Sequence, residues 1–99
     1  MDQREDLDKI REYIRNGELD HAIRYLANCI VAAAITPGAD KSELYYLFGN
    51  AYRKKGDFDL AMNYYTLAIE HNPDHSAAIE ARKALHGIMS FYNKDMYNH

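Results

Sequence analysis

A repeat of 39 residues (position 56 minus position 17) constrains the fold of this chain more than any other feature. The segment Gly17-Glu18-Leu19-Asp20 recurs as Gly56-Asp57-Phe58-Asp59. The same residue types flank both glycines at equal offsets: Tyr13 and Tyr52 before them, Ala22 and Ala61 after them, then the small residues Cys29 and Ala68. This order predicts, twice over, a helix ending in an aromatic turn, a Gly-acid loop and a second helix with small residues on its inner face.

The second copy carries a longer pattern of aromatic and small residues. It reads Tyr45-x2-Phe48-Gly49-x2-Tyr52, Ala61-x3-Tyr65, with Ala68 and Pro73 beyond. This pattern is similar to that of the tetratricopeptide-repeat family, which is Trp-x2-Leu-Gly-x2-Tyr, then Ala-x3-Phe, then Pro, with a period of about 34 residues. Small residues at Gly49 and Ala61 allow two antiparallel helices to cross closely, and Pro73 prevents the second helix from continuing.

The first copy matches the pattern less well and is expected to be a degenerate end unit. Asp6 and Lys9 stand where the pattern has large apolar residues, and Ile10 replaces the crossing glycine. The repeat also exceeds the family period by about five residues. We expect this excess in one added helical turn around residues 32–34 and in a longer loop over residues 36–40.

The resemblance implies an all-α fold of antiparallel helix-turn-helix repeats, with about two units and a C-terminal capping helix in a right-handed superhelical stack. We predict one domain over residues 1–99. Repeat 1 is expected at about 2–36, repeat 2 at about 42–75, the capping helix at about 75–92 and a tail at 93–99. The predicted helices are about 2–16, 18–35, 41–55, 58–71 and 75–92. Asp74 or Ser76 is expected to cap the last helix, which presents Ala78, Arg82, Leu85 and Met89 on one side.

Composition argues against several classes of function. Twelve basic and fifteen acidic residues give a formal charge of -3, which favours neither nucleic acid nor an anionic membrane as a partner. The polar N-terminal residues do not resemble a signal peptide, and the apolar run of residues 29–35 is too short to span a bilayer, so a cytoplasmic location is expected. Cys29, the single cysteine, is expected to be a buried small residue rather than a reactive thiol.

No catalytic motif is evident in the sequence. It contains no phosphate-binding glycine loop, nucleophile elbow or paired-carboxylate motif. His71 and His75 are separated by Pro73, which breaks the helix that would align them as metal ligands. We therefore expect no cofactor, no metal and no enzymatic activity.

The resemblance implies a protein or peptide partner, bound on the concave face that the first helix of each repeat lines. The residues carried over to this face are Arg4, Leu7, Asp8, Arg11, Ile14 and Arg15 in repeat 1, Glu43, Tyr46, Leu47, Asn50, Arg53 and Lys54 in repeat 2, and Ala77, Glu80, Ala81, Ala84 and Ile88 on the last helix. The candidate peptide-binding residues among them are Arg4, Arg11, Arg15, Tyr46, Asn50, Arg53 and Lys54.

Two interpretations of these residues stay open. The five cations could be ordinary solvated surface charges, or they could bind an acidic or carboxylate-bearing segment, for which the guanidinium of arginine is well suited. Tyr46 could be a peptide anchor or a packing residue. Asn50 matches the asparagine of the carboxylate clamp in co-chaperone members of the family, but Ala77 and Ala81 replace the clamp's downstream Lys and Arg, which disfavours that particular clamp.

The C-terminal stretch suggests an alternative function. Phe91, Tyr92, Met96 and Tyr97 follow the expected end of the capping helix and are unusually apolar for a tail. They could fold back on Ala81, Ala84 and Ile88, or they could pair with a second copy of the chain. In the second case the protein is a self-assembling adaptor that forms a homodimer through its C-terminal helix and tail.

Overall fold

The computed structural model of the chain describes residues 3–92, and within them five α-helices follow one another without a strand. They are α1 (Gln3–Arg15), α2 (Leu19–Ala33), α3 (Lys41–Lys55), α4 (Phe58–His71) and α5 (Ser76–Tyr92). These bounds lie within two residues of the predicted ones, and the all-α repeat prediction is confirmed.

The added helical turn predicted in the first repeat is not present. α2 has 15 residues and α4 has 14, so the surplus lies mainly in the connection of residues 34–40. The helix tightens at its end, because the N–H groups of Ile35 and Thr36 bond to carbonyls only three residues back. Pro37 and Gly38 then lead the chain to α3.

The turn between α3 and α4 shows how local sequence sets the helix ends. Gly56 ends α3 in the left-handed region, with φ at +89°, a conformation that glycine adopts without strain. The next residue, Asp57, accepts a hydrogen bond from the N–H of Leu60 and so caps α4. Asp40 caps α3 in the same way by accepting from the N–H of Glu43.

The interior of the second repeat lies where α3 and α4 cross. Gly49 and Ala61 are buried there, as predicted, and the ring of Tyr65 fills the space beside Gly49 with no exposure to solvent. The first repeat has Ile10 and Leu26 at the equivalent positions, both fully buried in one cluster. A small residue paired with a large one in repeat 2 is thus replaced by two residues of intermediate size in repeat 1.

Equivalent tyrosines in the two repeats have different surroundings, which explains why repeat 1 departs from the family pattern. Tyr64 in repeat 2 stacks on aromatic rings, with the centroid of Phe48 at 4.6 Å and that of Tyr52 at 5.5 Å. Tyr25 in repeat 1 instead donates its hydroxyl to Oδ1 of Asp6 at 2.6 Å, and the ammonium of Lys9 is 5.9 Å from its ring centroid. The two polar residues that depart from the family pattern, Asp6 and Lys9, are thus the ones that contact Tyr25.

Each helix packs mainly on its neighbours in the chain, and α1 also contacts α3. Ser42, at the start of α3, donates its buried hydroxyl to the carbonyl oxygen of Ala68 near the end of α4 at 2.8 Å. Of the four residues predicted on one side of α5, Ala78 and Leu85 are fully buried, and Arg82 and Met89 are partly buried.

Leu47, which was predicted for the ligand-binding face, is instead buried in the core, and Leu7 and Ile14 pack against the same cluster. We call the surface formed by the other residues carried over above, on α1, α3 and α5, the concave face.

Candidate functional site

An ion-pair network crosses the concave face and joins α1, α3 and the start of α5. Arg11 lies between two carboxylates, with Nη1 3.1 Å from Oδ1 of Asp8 and Nη2 3.2 Å from Oε2 of Glu43. The other oxygen of Glu43 is 3.0 Å from Nε2 of His75. Arg11 is thus already paired, and this part of the face carries less net positive charge than its arginine suggests.

His75 caps α5, a role that the sequence had suggested for Asp74 or Ser76. Its Nδ1 accepts the N–H of Ala78 at 3.1 Å. Because Nδ1 accepts, the ring hydrogen lies on Nε2 and is donated to Glu43. Asp74 instead donates its own N–H to Oδ1 of Asn72. The only sequence signal for the role of His75 is its position directly before the helix.

Lys54 ties the end of α3 to the end of α1. Its Nζ donates to the carbonyl oxygens of Ile14 at 2.9 Å and of Arg15 at 3.4 Å. These carbonyls belong to the last turn of α1, where a helix lacks internal donors and its dipole favours a cation. An ammonium group has three donors, so one remains beyond these two contacts.

Asn50 is held in place by the buried tyrosine of the helix crossing. The hydroxyl of Tyr65 donates to Oδ1 of Asn50 at 2.6 Å. Burial raises the pKa of Tyr65, while the positive charge of Arg53 nearby acts in the opposite direction. Within residues 3–92 no acceptor is bonded to the amide donors of Asn50, which is half-buried, so these donors are available to solvent or to a ligand.

Tyr46 combines packing with exposure. Its ring centroid lies 6.0 Å from that of Tyr65 and 4.9 Å from the ring of His75. Together with Ala81 of α5 it packs on the cluster of Tyr65 and Leu85, yet it is only half-buried. Tyr46 therefore has a rigid ring with one side in the core and the rest available on the concave face.

The candidate cations are divided between two regions of the face. Arg15 is exposed at the end of α1, where its carbonyl oxygen accepts from Lys54, and Arg53 precedes Lys54 in the last turn of α3. We call these three residues the cationic end. Arg11 lies in the ion-pair network, and Arg4 is exposed near the start of α1, away from the cationic end.

The residues considered for metal or thiol chemistry lie apart. His71 stacks on Tyr45 with centroids 5.2 Å apart, whereas His75 contacts Tyr46 and Glu43. Cys29 is half-buried rather than fully buried as predicted. Burial raises the pKa of its thiol, the opposite of what activates a cysteine nucleophile.

Successive pairs of antiparallel helices that stack on one another define a helical repeat protein. Residues 42–75 match the family model described as tetratricopeptide repeat. The chain is also 47% identical to protein BF1650 of Bacteroides fragilis, whose solution NMR structure it matches with a TM-score of 0.82 over 99% of this chain and 91% of that one.

This chain therefore belongs to the tetratricopeptide-repeat family, whose members are generally protein-protein interaction modules. None of the curated protein sequences matches the chain. Among residues 3–92, every helix is too short or too polar to cross a bilayer.

Proposed function

We propose that the protein is a non-catalytic binding module whose concave face holds an extended peptide from a partner protein. The observation that carries this proposal is the arrangement on α3, where a half-buried tyrosine, an asparagine with free amide donors and two cations follow one another along one side of the helix. These are Tyr46, Asn50, Arg53 and Lys54. Ring, amide and cation are the groups that anchor an apolar residue, a peptide backbone and a carboxylate respectively.

The ion pairs narrow the expected chemistry of the ligand. Arg11 is paired with Asp8 and Glu43, so it offers little to an incoming carboxylate. The cationic end has no carboxylate partner among the described residues. We therefore place an acidic residue or a free C-terminal carboxylate of the ligand at Arg15, Arg53 and Lys54, and an apolar residue of the ligand against Tyr46.

The α5 side of the face gives the ligand a narrow wall that carries one carboxylate and no cation. Ala77, Ala81 and Ala84 have small side chains and Ile88 is half-buried, with Glu80 as the charged residue among them. Alanines leave room for a backbone to approach and contribute no cation. A ligand carboxylate is therefore bound by α1 and α3 alone, which sets this protein apart from the two-sided clamp of the co-chaperones.

The proposal is tested with an array of random heptapeptides that carry either a free or an amidated C-terminus. Fluorescence anisotropy then measures the affinity of the selected peptides, which we expect near the micromolar level. Arg53→Gln and Tyr46→Ala should each weaken binding by about tenfold, the loss of one charge-assisted or aromatic contact. Arg24→Gln, an exposed arginine on α2, is the matched control and should bind as the wild type does.

The salt dependence of the peptide affinity tests the proposed carboxylate contact independently. Affinity should fall as ionic strength rises through the range that screens surface charges. Peptides that bind equally at low and high salt, or that bind Arg53→Gln unchanged, would contradict a carboxylate at the cationic end. If Tyr46→Ala also leaves the peptide affinity unchanged, the concave face is not the binding site.

The second candidate is the homodimer formed through α5 and the tail. One observation favours it: Phe91, in the last turn of α5, is 73% exposed. Of the residues in that hypothesis, Met96 and Tyr97 lie outside the described residues. Phe91→Asp should convert such a dimer to a monomer, whereas the peptide-binding proposal expects no change in mass.

A further inference from the structure

The caps of the last three helices are of two chemical kinds. Asp40 and Asp57 cap α3 and α4 through carboxylate oxygens, whereas His75 caps α5 through Nδ1 of its ring. The first turn of α5 contains no acidic residue that could replace it. A carboxylate accepts hydrogen bonds throughout the range of about pH 5 to 8, whereas histidine is the side chain that ordinarily changes its charge there. The start of α5 thus depends on an acceptor that a proton can remove.

Both ring nitrogens of His75 are engaged. Nδ1 accepts the N–H of Ala78 at 3.1 Å, and Nε2 lies 3.0 Å from Oε1 of Glu43. The side chains of His75 and Glu43 are only 13% and 19% exposed, so water has limited access to replace either bond. A doubly protonated imidazole is a donor at both nitrogens. Its Nδ1–H would point at the N–H of Ala78, so the cap and the imidazolium exclude each other.

The charges around the ring determine what replaces the cap. Glu43 on α3 faces Nε2 and favours an imidazolium, whereas Arg11 on α1, 3.2 Å from the other oxygen of that carboxylate, opposes it. Asp8 pairs with Arg11 in turn. Protonation therefore exchanges the cap for an ion pair with a carboxylate that a second cation already shares.

The other ionisable groups at this end of the stack act from further away. Tyr46 packs on the ring of His75, with the two centroids 4.9 Å apart. Within residues 3–92 no hydrogen bond, ion pair or ring contact joins His75 to the remaining ones, which are Asp40, Lys41, Glu70, His71, Asp74 and Glu80.

We propose that His75 is a pH-dependent attachment of α5. At neutral pH the uncharged ring caps the helix, and in acid the imidazolium pairs with Glu43 and leaves the N–H of Ala78 without its acceptor. The exchange acts on the concave face, because α5 forms one side of that face and His75 packs on Tyr46. Acid should thus loosen the first turn of α5 and leave the aspartate-capped starts of α3 and α4 unchanged.

Amide hydrogen exchange of the full chain tests this without a peptide ligand. It is measured by NMR from about pH 5 to 8 and divided by the intrinsic exchange rate at each pH. Protection of the Ala78 N–H should fall several-fold toward the acid end, along the same curve as the 15N shifts of the His75 ring. The N–H of Leu60, capped by Asp57, is the internal control and should keep its protection. In His75→Asn, which replaces the ring with a strong cap that does not titrate, protection of Ala78 should not depend on pH.

Two further variants test the charges that face the ring. Glu43→Gln keeps an acceptor for Nε2 and removes the negative charge, so the titration of the ring and the loss of protection should both move to lower pH. Arg11→Gln removes the opposing cation, so both should move to higher pH. These opposite shifts decide the question even if His75→Asn fails to fold, and circular dichroism shows which variants are folded.

Three results would overturn the proposal. Protection of Ala78 could stay constant while the ring titrates, which would show that the cap survives protonation. The ring could remain neutral to the acid end of the range, so that no exchange takes place. The loss of protection could persist in His75→Asn, which would assign it to another group.

Discussion

The ring of Tyr65 lies so close to Gly49 that a Cβ atom on the glycine would be 2.5 Å from both Cδ1 and Cε1 of the ring. The ring has little freedom to move away. It is fully buried, and its hydroxyl is bonded to Asn50. Glycine at this position is thus required by the neighbouring helix rather than by the backbone of its own helix, in which glycine is otherwise unfavourable.

Enlarging either small residue at this crossing should destabilise the fold. Gly49→Leu and Ala61→Leu are each expected to lower the free energy of unfolding by about 1 to 3 kcal/mol or more, because the core has no space for the added atoms. Ile10→Leu, at the position in repeat 1 equivalent to Gly49, should cost less than about 1.5 kcal/mol. Urea denaturation measures all three, and wild-type stability in either enlarged variant would contradict the close crossing.

In the first repeat, Ile10 and Leu26 occupy the positions equivalent to Gly49 and Tyr65. Gly49→Ile and Tyr65→Leu copy Ile10 and Leu26 into repeat 2, and each alone should be destabilising. Together they should cost less than the sum of the single changes by about 0.5 to 3 kcal/mol, because the residues share one space. A double-mutant cycle by chemical denaturation measures this coupling, and strict additivity would show that the two repeats do not use equivalent packing.

Helix caps differ along the chain in a way that mutation can detect. Asp40 and Asp57 each accept a backbone N–H, whereas Glu18, which precedes α2, makes no capping hydrogen bond with its side chain. Asp40→Ala and Asp57→Ala should each cost about 1 kcal/mol of stability. Glu18→Ala should stay within about 0.5 kcal/mol of the wild type. Equal effects at all three positions, measured by thermal unfolding, would argue against the assigned caps.

Alkaline pH should loosen the first repeat. The hydrogen bond from Tyr25 to Asp6, together with burial, raises the pKa of Tyr25 to about 12 from an ordinary value of 10.0. The folded chain therefore favours the protonated phenol, so the stabilisation is complete below pH 10 and is lost as pH rises through 12. Tyrosinate absorbance should show a late-titrating group that disappears in Tyr25→Phe. In Asp6→Ala the titration of Tyr25 should move to lower pH, and an unchanged curve there would contradict the assigned hydrogen bond.

The sequence predicted most of the helical framework because its determinants are local. Gly49, Ala61 and Pro73 act on residues within one or two turns or on the adjacent helix, so their spacing alone located α3 and α4. The added turn predicted at the end of α2 was wrong. Three alanines favour a helix, but the residue at which the helix ends depends on how the following loop packs.

Much of the candidate site was beyond prediction, since its contacts join residues far apart in sequence. Asp6 and Lys9 depart from the repeat pattern, and only the structure shows that both contact Tyr25. Arg11 was predicted to bind a ligand, but it is paired with Glu43, 32 residues away, which also contacts His75. Side-chain pairing of this kind follows from the stacking of helices and has no periodic signal in the chain.

Packing between successive helices also determines how this molecule should fold and open. Contacts that join neighbours in the chain close only short loops, so the entropic barrier to forming them is low and folding should be complete within milliseconds. The α3-α4 pair has the most extensive contact and should form first, with α1 and α5 adding at either side. Amide hydrogen exchange should accordingly be slowest around Tyr65 and faster toward both outer helices, so that partial opening removes the outer walls of the concave face before its centre.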